Sequence, residues 1–416
     1  MSESRERAEM IRRIADEIRL SAGKQSAESD EEVREWIETY IFRSAHTSQL
    51  NFKEKIALVN GVFNAMRKEL GPLQPYLEDD RISEIMVNGR DDIFIEREGV
   101  LLRVDEAFPS DEALEEVIMR IAGKVHREIN EMNPILDARL ADGSRVHAVY
   151  KNISLSGPIL TIRRFPKKRI TMKDLISAES LTEESAGFLK ILVQCGYNIL
   201  ISGGTSSGKS SLLSALTDYI PGEERIIVIE DSAELQIRGI ENIVRLETKN
   251  ANAQGKGRIA MQDLVKASLR MRPDRIIVGE VRGKEVVDLI TAMNTGHDGG
   301  MSTIHANAPQ AVFGRLETMF LSAAPYPVDA VRGQIASGID VVVHLSRLRD
   351  GTRRVMDVAE FLGYEEGKPV LNSIFRFQKE AGTKGMLEPT GNSLKHTEKM
   401  QMRSGGPDEA ERRAKI

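Results

Sequence analysis

One short segment of this chain constrains its fold more than any other. Residues 203–210 read Gly-Gly-Thr-Ser-Ser-Gly-Lys-Ser and match the pattern GxxxxGK[ST] at every fixed position. Between a strand and a helix, such a loop directs backbone N–H groups and the positive end of the helix toward one point. The strand-like residues 198–202 precede it, and the amphipathic residues 210–220 follow it. We therefore predict a phosphate-binding loop within an α/β domain.

The candidate nucleotide-binding residues are those of this loop and of the helical turn after it: Gly203, Gly204, Thr205, Ser206, Ser207, Gly208, Lys209, Ser210 and Ser211. Lys209 is predicted to neutralise the β- and γ-phosphates, and the Ser210 hydroxyl to bind a Mg²⁺ ion. ATP and Mg²⁺ are accordingly the expected cofactors. The alternative, a glycine-rich turn without a ligand, is disfavoured by the flanking strand and helix.

Strand-like and helix-like segments alternate on both sides of the loop. Apolar, strand-like runs at 225–229, 275–278 and 301–304 are separated by amphipathic segments, which predicts a parallel sheet with crossover helices over residues 167–375. Residues 71–166 instead predict a small α+β domain, because short apolar runs are separated by Asn-Gly and Glu-Gly turns.

The two ends of the chain differ from these domains in composition. Residues 1–70 have the apolar period of helices, and residues 166–169 are expected to form a linker. Residues 376–416 are polar, charged and rich in glycine, which predicts a loosely ordered tail.

Two predicted strands end in a carboxylate. Glu230 follows one aliphatic run and Glu280 follows the next, and the carboxyl ends of parallel strands lie at the same sheet edge as the phosphate loop. One acid is expected to orient or deprotonate the attacking water while the other supports Mg²⁺ with Ser210. Gly279 occupies the position at which the usual Walker B pattern has Asp. A solvated acidic strand end is the alternative for each glutamate.

Two histidines bracket the next predicted strand, His297 before it and His305 after it. A zinc site would need further ligands at suitable spacing, and the sequence has none nearby. Sensing of a bound phosphate is therefore the favoured prediction for both side chains, and a structural role is the alternative.

Charge and cysteine content exclude several classes of protein. Lys and Arg total 58 against 63 Asp and Glu, for a net charge of −5, whereas a large basic nucleic-acid surface would give the opposite balance. The single cysteine, Cys195, forms no internal disulfide, as expected in a reducing compartment. With no signal peptide or spanning segment evident, we expect a cytoplasmic protein that associates with the inner face of the membrane through partners.

Four motifs in a fixed order resemble one family. The phosphate loop, IEDSAEL at 229–235, RPDRIIVGEVRG at 272–283 and GHDGGMSTIHAN at 296–307 resemble the ATPases of type II and type IV secretion and pilus assembly. Residues 71–89, 138–148, 157–165 and 345–364 are similar to the CpaF/TadA branch, the motors of Flp pili. The resemblance spans about residues 70–375 and departs at Lys151-Asn152, where the branch usually has a Pro-Pro pair.

The resemblance implies a RecA-like P-loop ATPase core, a smaller N-terminal domain and a hexameric ring with sites near subunit boundaries. It implies catalytic roles for Glu230, Glu280, His297 and His305. Arginines of the smaller domain would reach the nucleotide, and the candidates are Arg139, Arg145, Arg163 and Arg164.

The implied function is an ATPase motor that powers pilus assembly or protein export through polytopic inner-membrane proteins. A conjugation-type traffic ATPase is the nearest alternative. A RecA-like DNA motor or a nucleotide-binding regulator ranks last, because the chain is acidic and only 5% aromatic. No nucleic-acid partner is expected.

Overall fold

A computed structural model describes residues 10–11, 13–15, 17–18, 29–67, 70–165, 169–249, 256–378 and 385–403. Most of the predicted N-terminal segment before residue 29, linker residues 166–168 and the final residues 404–416 lie outside this range. The chain divides into two compact units, Met1–Lys167 and Lys168–Ile416. No helix in the described ranges is both long enough and apolar enough to span a membrane.

The helices of the described residues begin and end as follows: α1 Asp30–Arg43, α2 Phe52–Arg67, α3 Gln74–Glu78, α4 Asp111–Lys124, α5 Met172–Ser177, α6 Glu183–Gln194, α7 Lys209–Leu216, α8 Met261–Ser268, α9 Glu285–Asn294, α10 Ala311–Ala323, α11 Val328–Gly338 and α12 Glu398–Arg403. The strands are β1 Ile82–Asn88, β2 Ile93–Arg97, β3 Val100–Arg103, β4 Ile135–Arg139, β5 Arg145–Val149, β6 Ile159–Arg163, β7 Ile199–Gly203, β8 Ile226–Glu230, β9 Ile243–Glu247, β10 Arg275–Val278, β11 Met301–His305, β12 Val341–Arg347, β13 Arg353–Glu365, β14 Lys368–Gln378 and β15 Met386–Pro389.

The first unit contains an antiparallel sheet in the order β3-β2-β1-β6-β5-β4. The meander expected from the Asn-Gly and Glu-Gly turns is confirmed, because β1, β2 and β3 pair in sequence. Helix α4 begins where the Ser110 hydroxyl accepts a hydrogen bond from the Ala113 amide. It buries Leu114, Val117 and Ile121 in the same core as the inward residues of the strands, as its three- and four-residue spacing requires.

The second unit is built on a nine-stranded sheet in the order β15-β14-β13-β12-β7-β11-β10-β8-β9. The strands from β12 to β9 run parallel, and β13, β14 and β15 extend the sheet antiparallel. Strands β7 and β8 are buried along their whole length, which is typical of parallel strands covered on both faces. The phosphate loop therefore leaves the sheet between two neighbouring strands, β11 and β12.

The structure contradicts the expected loose tail over residues 376–378 and 385–403. β14 extends to Gln378, β15 pairs with it, and Leu387, Leu394 and Met400 are buried in the core of the second unit. The buried carboxylate of Glu360 accepts hydrogen bonds from the amides of Lys395 and His396. Three apolar side chains spaced widely along a polar segment have no helical or strand period, so the sequence pattern did not reveal them.

We expect truncation after Gln378 to destabilise the second unit strongly. Three apolar side chains would be lost from the core and the Glu360 carboxylate would lose two backbone amide donors, so a fall in melting temperature of about 10 °C or more is expected. Thermal unfolding measures the fall, and truncation after Arg403 is the reference because it keeps every contact described above. Equal melting temperatures for the two truncations would contradict this assignment.

Candidate functional site

The phosphate loop turns sharply from β7 into α7. Gly208 precedes the helix with φ of 98°, a left-handed conformation that a side chain would strain, and Ser206 has φ of 56°. The helix begins at Lys209, so the amides of its first turn have no acceptor within the helix. These free donors and the positive end of the helix fit the phosphates of a nucleotide.

The side chain of Lys209 folds over its own loop. Its Nζ donates to the carbonyl oxygens of Gly203, at 3.2 Å, and Gly204, at 2.7 Å. The residue is only 7% exposed, and this burial lowers the pKa of the ammonium group. A bound polyphosphate would supply the negative charge that favours the charged form.

His305 connects this lysine to Glu280. The Lys209 Nζ lies 3.5 Å from His305 Nδ1, and His305 Nε2 lies 3.0 Å from Glu280 Oε1. Burial lowers the pKa of His305, which favours the neutral ring. Glu280 Oε1 is buried against this ring, and no described donor reaches it with the alignment of a hydrogen bond. The carboxylate therefore lies beside the phosphate loop, with His305 between it and Lys209.

The other oxygen of Glu280 is held by an arginine. Arg282 Nη2 lies 2.7 Å from Glu280 Oε2, and its Nη1 lies 3.5 Å from Asp231 Oδ2. Asp231 also accepts a hydrogen bond from the Thr248 hydroxyl. Arg282 therefore joins the ends of β10 and β8, and it fixes the orientation of the Glu280 carboxylate.

Glu230 is placed differently from the expectation of a water or metal ligand. Its Oε1 accepts hydrogen bonds from the amides of Glu234, at 2.7 Å, and Leu235, at 2.9 Å, so this oxygen anchors the turn after β8. Burial raises the pKa of the Glu230 carboxyl. A Cβ on Gly279 would lie 3.1 Å from the Glu230 Cγ. Glycine therefore stands at the Walker B position because the Glu230 side chain fills the space beside it.

The structure does not bring His297 to this edge of the sheet. His297 precedes β11, whose first residue, Met301, lies opposite Ile199 at the start of β7. His305 lies at the far end of the same strand, opposite Gly203. The strand spans roughly 13 Å from Met301 to His305, and His297 lies before its far end, so His305 is the histidine that lies with the phosphate loop. The prediction failed for His297 because a residue that precedes a strand and a residue that follows it lie at opposite edges of the sheet.

Three of the four candidate arginines line up across the sheet of the first unit. Arg139 lies opposite Arg145, and Arg145 lies opposite Arg163, so the three share one face of β4, β5 and β6. The fourth, Arg164, is buried and donates to the carbonyl oxygens of Asp79 and Ile82. Arg164 therefore stabilises its own unit, and the row of three remains as the candidate for nucleotide contact.

Residues that the sequence reasoning missed also lie at this edge. Arg282 could have been identified from the sequence, because it stands two residues after Glu280 in the same motif. Ser202 and His344 form a buried contact of 2.9 Å between the Oγ and Nδ1 atoms, and burial lowers the pKa of this histidine. Arg353 donates to the Ser206 carbonyl from 147 residues away, a distance that no motif spacing predicts.

Comparison with known sequences assigns most of the chain to one family. The sequence model described as Type II/IV secretion system protein matches residues 66–399. A putative conjugal transfer protein of Mycobacterium tuberculosis is 34% identical over 297 residues, which cover 70% of this chain and 83% of that protein. The conjugal transfer protein TrbB of Rhizobium radiobacter is 35% identical over 292 residues, covering 69% and 86%.

Comparison with solved structures supports the fold. The X-ray structure of the Yersinia pseudotuberculosis ATPase DotB superimposes with a TM-score of 0.50 at 18% identity, over 72% of this chain and 79% of that chain. The α/β class and the RecA-like core are thereby confirmed. The chain belongs to the type II/IV secretion system protein family and is an ATP-hydrolysing motor of that family.

Proposed function

We propose that this ATPase powers the assembly of Flp/Tad-type pili, or a related protein secretion process, through polytopic proteins of the inner membrane. The catalytic part of this proposal rests on one observation, the row of contacts from Lys209 through His305 to Glu280. This row ends on a buried carboxylate oxygen that no donor among the described residues reaches with the alignment of a hydrogen bond. The choice of process is supported by the segments that are similar to the CpaF/TadA branch, at residues 71–89, 138–148, 157–165 and 345–364.

The chain's own residues suit hydrolysis of a nucleoside triphosphate. Lys209 and the first-turn amides of α7 bind and orient the phosphates. Glu280 is the acid that accepts a proton from the attacking water, and Arg282 orients its carboxylate through Oε2. His305 lies between the lysine and the carboxylate, where it responds to the presence of the terminal phosphate.

A Mg²⁺ ion would be held by the hydroxyl of Ser210, together with the phosphates of the nucleotide. Ser210 is exposed in the first turn of α7, and a hydroxyl with few protein carboxylates is a usual site for this ion. The ion would neutralise charge that develops on the phosphates. Because Glu230 Oε1 already accepts two amide hydrogen bonds, we assign Glu280 before Glu230 as the acid that supports this ion.

A homo-hexameric ring is part of the proposal. Arg139, Arg145 and Arg163 lie in a row on one sheet face, and Arg163 Nε also lies 3.5 Å from Glu84 Oε1 at the end of that row. In a ring, this row would contact the nucleotide of a neighbouring subunit and stabilise charge in the transition state.

Mixing two inactive variants tests whether these arginines act between subunits. Lys209→Ala keeps the arginine row and loses hydrolysis, whereas Arg145→Ala keeps the phosphate loop. We expect hybrid rings to regain measurable ATPase activity, because some boundaries then combine an intact loop with an intact arginine. Light scattering verifies ring formation, and the rate per subunit should rise with protein concentration as rings assemble. Hybrid rings without recovered activity would contradict a role between subunits for Arg145.

A conjugation-type traffic ATPase is the second candidate, and one finding favours it. The two relatives described above carry names of conjugal transfer proteins. Deletion of the gene, followed by complementation with wild type or Lys209→Ala, separates the two functions. Loss of surface pili with unchanged DNA transfer supports the pilus motor, whereas loss of DNA transfer with intact pili supports the conjugation motor.

A further inference from the structure

Two arginines face each other on the hairpin between β12 and β13. Arg347 lies directly opposite Arg353, so the two side chains share one face of the ladder. Like charges at directly opposed positions are destabilising unless a negative charge lies between or beside them. Both residues are exposed, and neither forms an ion pair with an acidic side chain in the part of the chain that the structure describes.

The register of the sheet places this pair beside the phosphate loop. β12 runs parallel to β7, and Leu345 lies opposite Gly203. Gly203 is the last residue of β7, so the chain of β7 turns away into the loop at this level. Arg347 stands two residues further along β12, beyond the sheet edge from which the loop rises.

Arg353 touches the loop itself. Its Nε donates to the Ser206 carbonyl oxygen at 3.0 Å, and Ser206 has a left-handed φ of 56°. A Cβ on Gly208 would lie 3.4 Å from the Arg353 Cδ, so the arginine stem packs along the loop. The hydrogen bond fixes a carbonyl in a conformation that residues with a side chain rarely adopt. Arg353 thereby stabilises the conformation of the loop.

We infer that Arg347 and Arg353 form a second cationic wall of the nucleotide site, and that their ligand is the polyphosphate of a nucleoside di- or triphosphate. β11, which carries His305, flanks β7 on one side, and β12 flanks it on the other. The phosphates therefore lie between the catalytic row and the arginine pair. Arg347 contacts the phosphates, and Arg353 is a positioning residue that acts through Ser206. This inference rests on the proposed ATP site.

Equilibrium binding of ADP to the full chain tests the arginine wall. We expect Arg347→Ala to weaken ADP binding by about tenfold, the loss typical of one charge-assisted hydrogen bond to phosphate. Arg353→Ala should also weaken ADP binding, because the Ser206 carbonyl of the loop loses its anchor. Arg349→Ala is the matched control, because Arg349 lies exposed at the tip of the same hairpin, beyond the Arg347–Arg353 pair. Its ADP affinity should equal that of wild type.

Steady-state kinetics separate the two roles. Arg347→Ala should raise KM for ATP and leave kcat unchanged. A phosphate contact that is equally strong in the ground state and the transition state affects binding alone. Arg353→Ala should also lower kcat, because Ser206 loses its anchor. Arg353→Lys should not restore kcat, because lysine lacks the Nε donor that holds the Ser206 carbonyl.

One comparison decides the inference even when Arg353→Ala folds poorly. Arg347 is exposed and its side chain forms no hydrogen bond or ion pair within the described residues, so Arg347→Ala should keep the melting temperature of wild type without nucleotide. ADP affinities of Arg347→Ala and Arg349→Ala that both stay within about twofold of wild type would overturn the arginine wall and leave the ATPase assignment intact. A wild-type chain that binds no ADP would overturn the proposed site as well.

Discussion

Lys209→Ala is expected to abolish ATP hydrolysis. The substitution removes the ammonium group that the Gly203 and Gly204 carbonyls hold over the phosphate loop. Without this charge, the phosphates lose both an anchor in the ground state and a partner for charge in the transition state. We expect the steady-state ATPase rate to fall by about a thousandfold, or to the background rate.

The control for this variant is a lysine outside the site. Lys173 is exposed in α5 of the same unit, so Lys173→Ala removes one positive charge without touching the phosphate loop. Its rate should match wild type, and both variants should show the far-UV circular dichroism of the native fold. Lys209→Ala activity within about twofold of wild type would contradict the site assignment.

Glu280→Gln should separate binding from hydrolysis. Glutamine keeps the shape of the side chain but neither accepts a proton nor carries the charge that contacts Arg282 and His305. ATP should still bind, because the phosphate loop is unchanged, while kcat should fall by about a hundredfold or more. Equilibrium binding of a labelled nucleotide and steady-state kinetics on the same preparation measure the two effects.

Glu230→Gln is the matched comparison for this variant. Its amide oxygen still accepts the hydrogen bonds of the Glu234 and Leu235 amides, so the turn after β8 should stay intact. If Glu230 is a structural anchor, kcat should stay within a few-fold of wild type, which is the effect expected from the loss of one weak contact. A fall as large as that of Glu280→Gln would show instead that both acids serve the water and the metal.

The local parts of this protein could be predicted from sequence. The phosphate loop is a continuous segment whose glycines and lysine act through their own backbone and first turn, so eight consecutive residues suffice to recognise it. The α/β class follows from the alternation of aliphatic and amphipathic segments. Glu280 follows from its position at the end of a buried strand.

The errors arose where a residue's role depends on partners distant in sequence. Glu230 and Glu280 have the same local setting in the sequence, and their partners distinguish them: the amides of Glu234 and Leu235 hold Glu230, whereas Arg282 and His305 contact Glu280. The segment at 386–400 has too few apolar residues for a period, yet the side chains of Leu387, Leu394 and Met400 fill the core.

Local chain chemistry determined the phosphate loop and the class of the fold, because neighbouring residues impose backbone conformation and hydrophobic period directly. The tertiary structure alone decided which side chains meet at the loop. The direction of β11 separates His297 from His305, and the pairing of β12 with β7 brings Arg353 to Ser206. Strand order and register are set by packing across the whole sheet, so no short motif contains them.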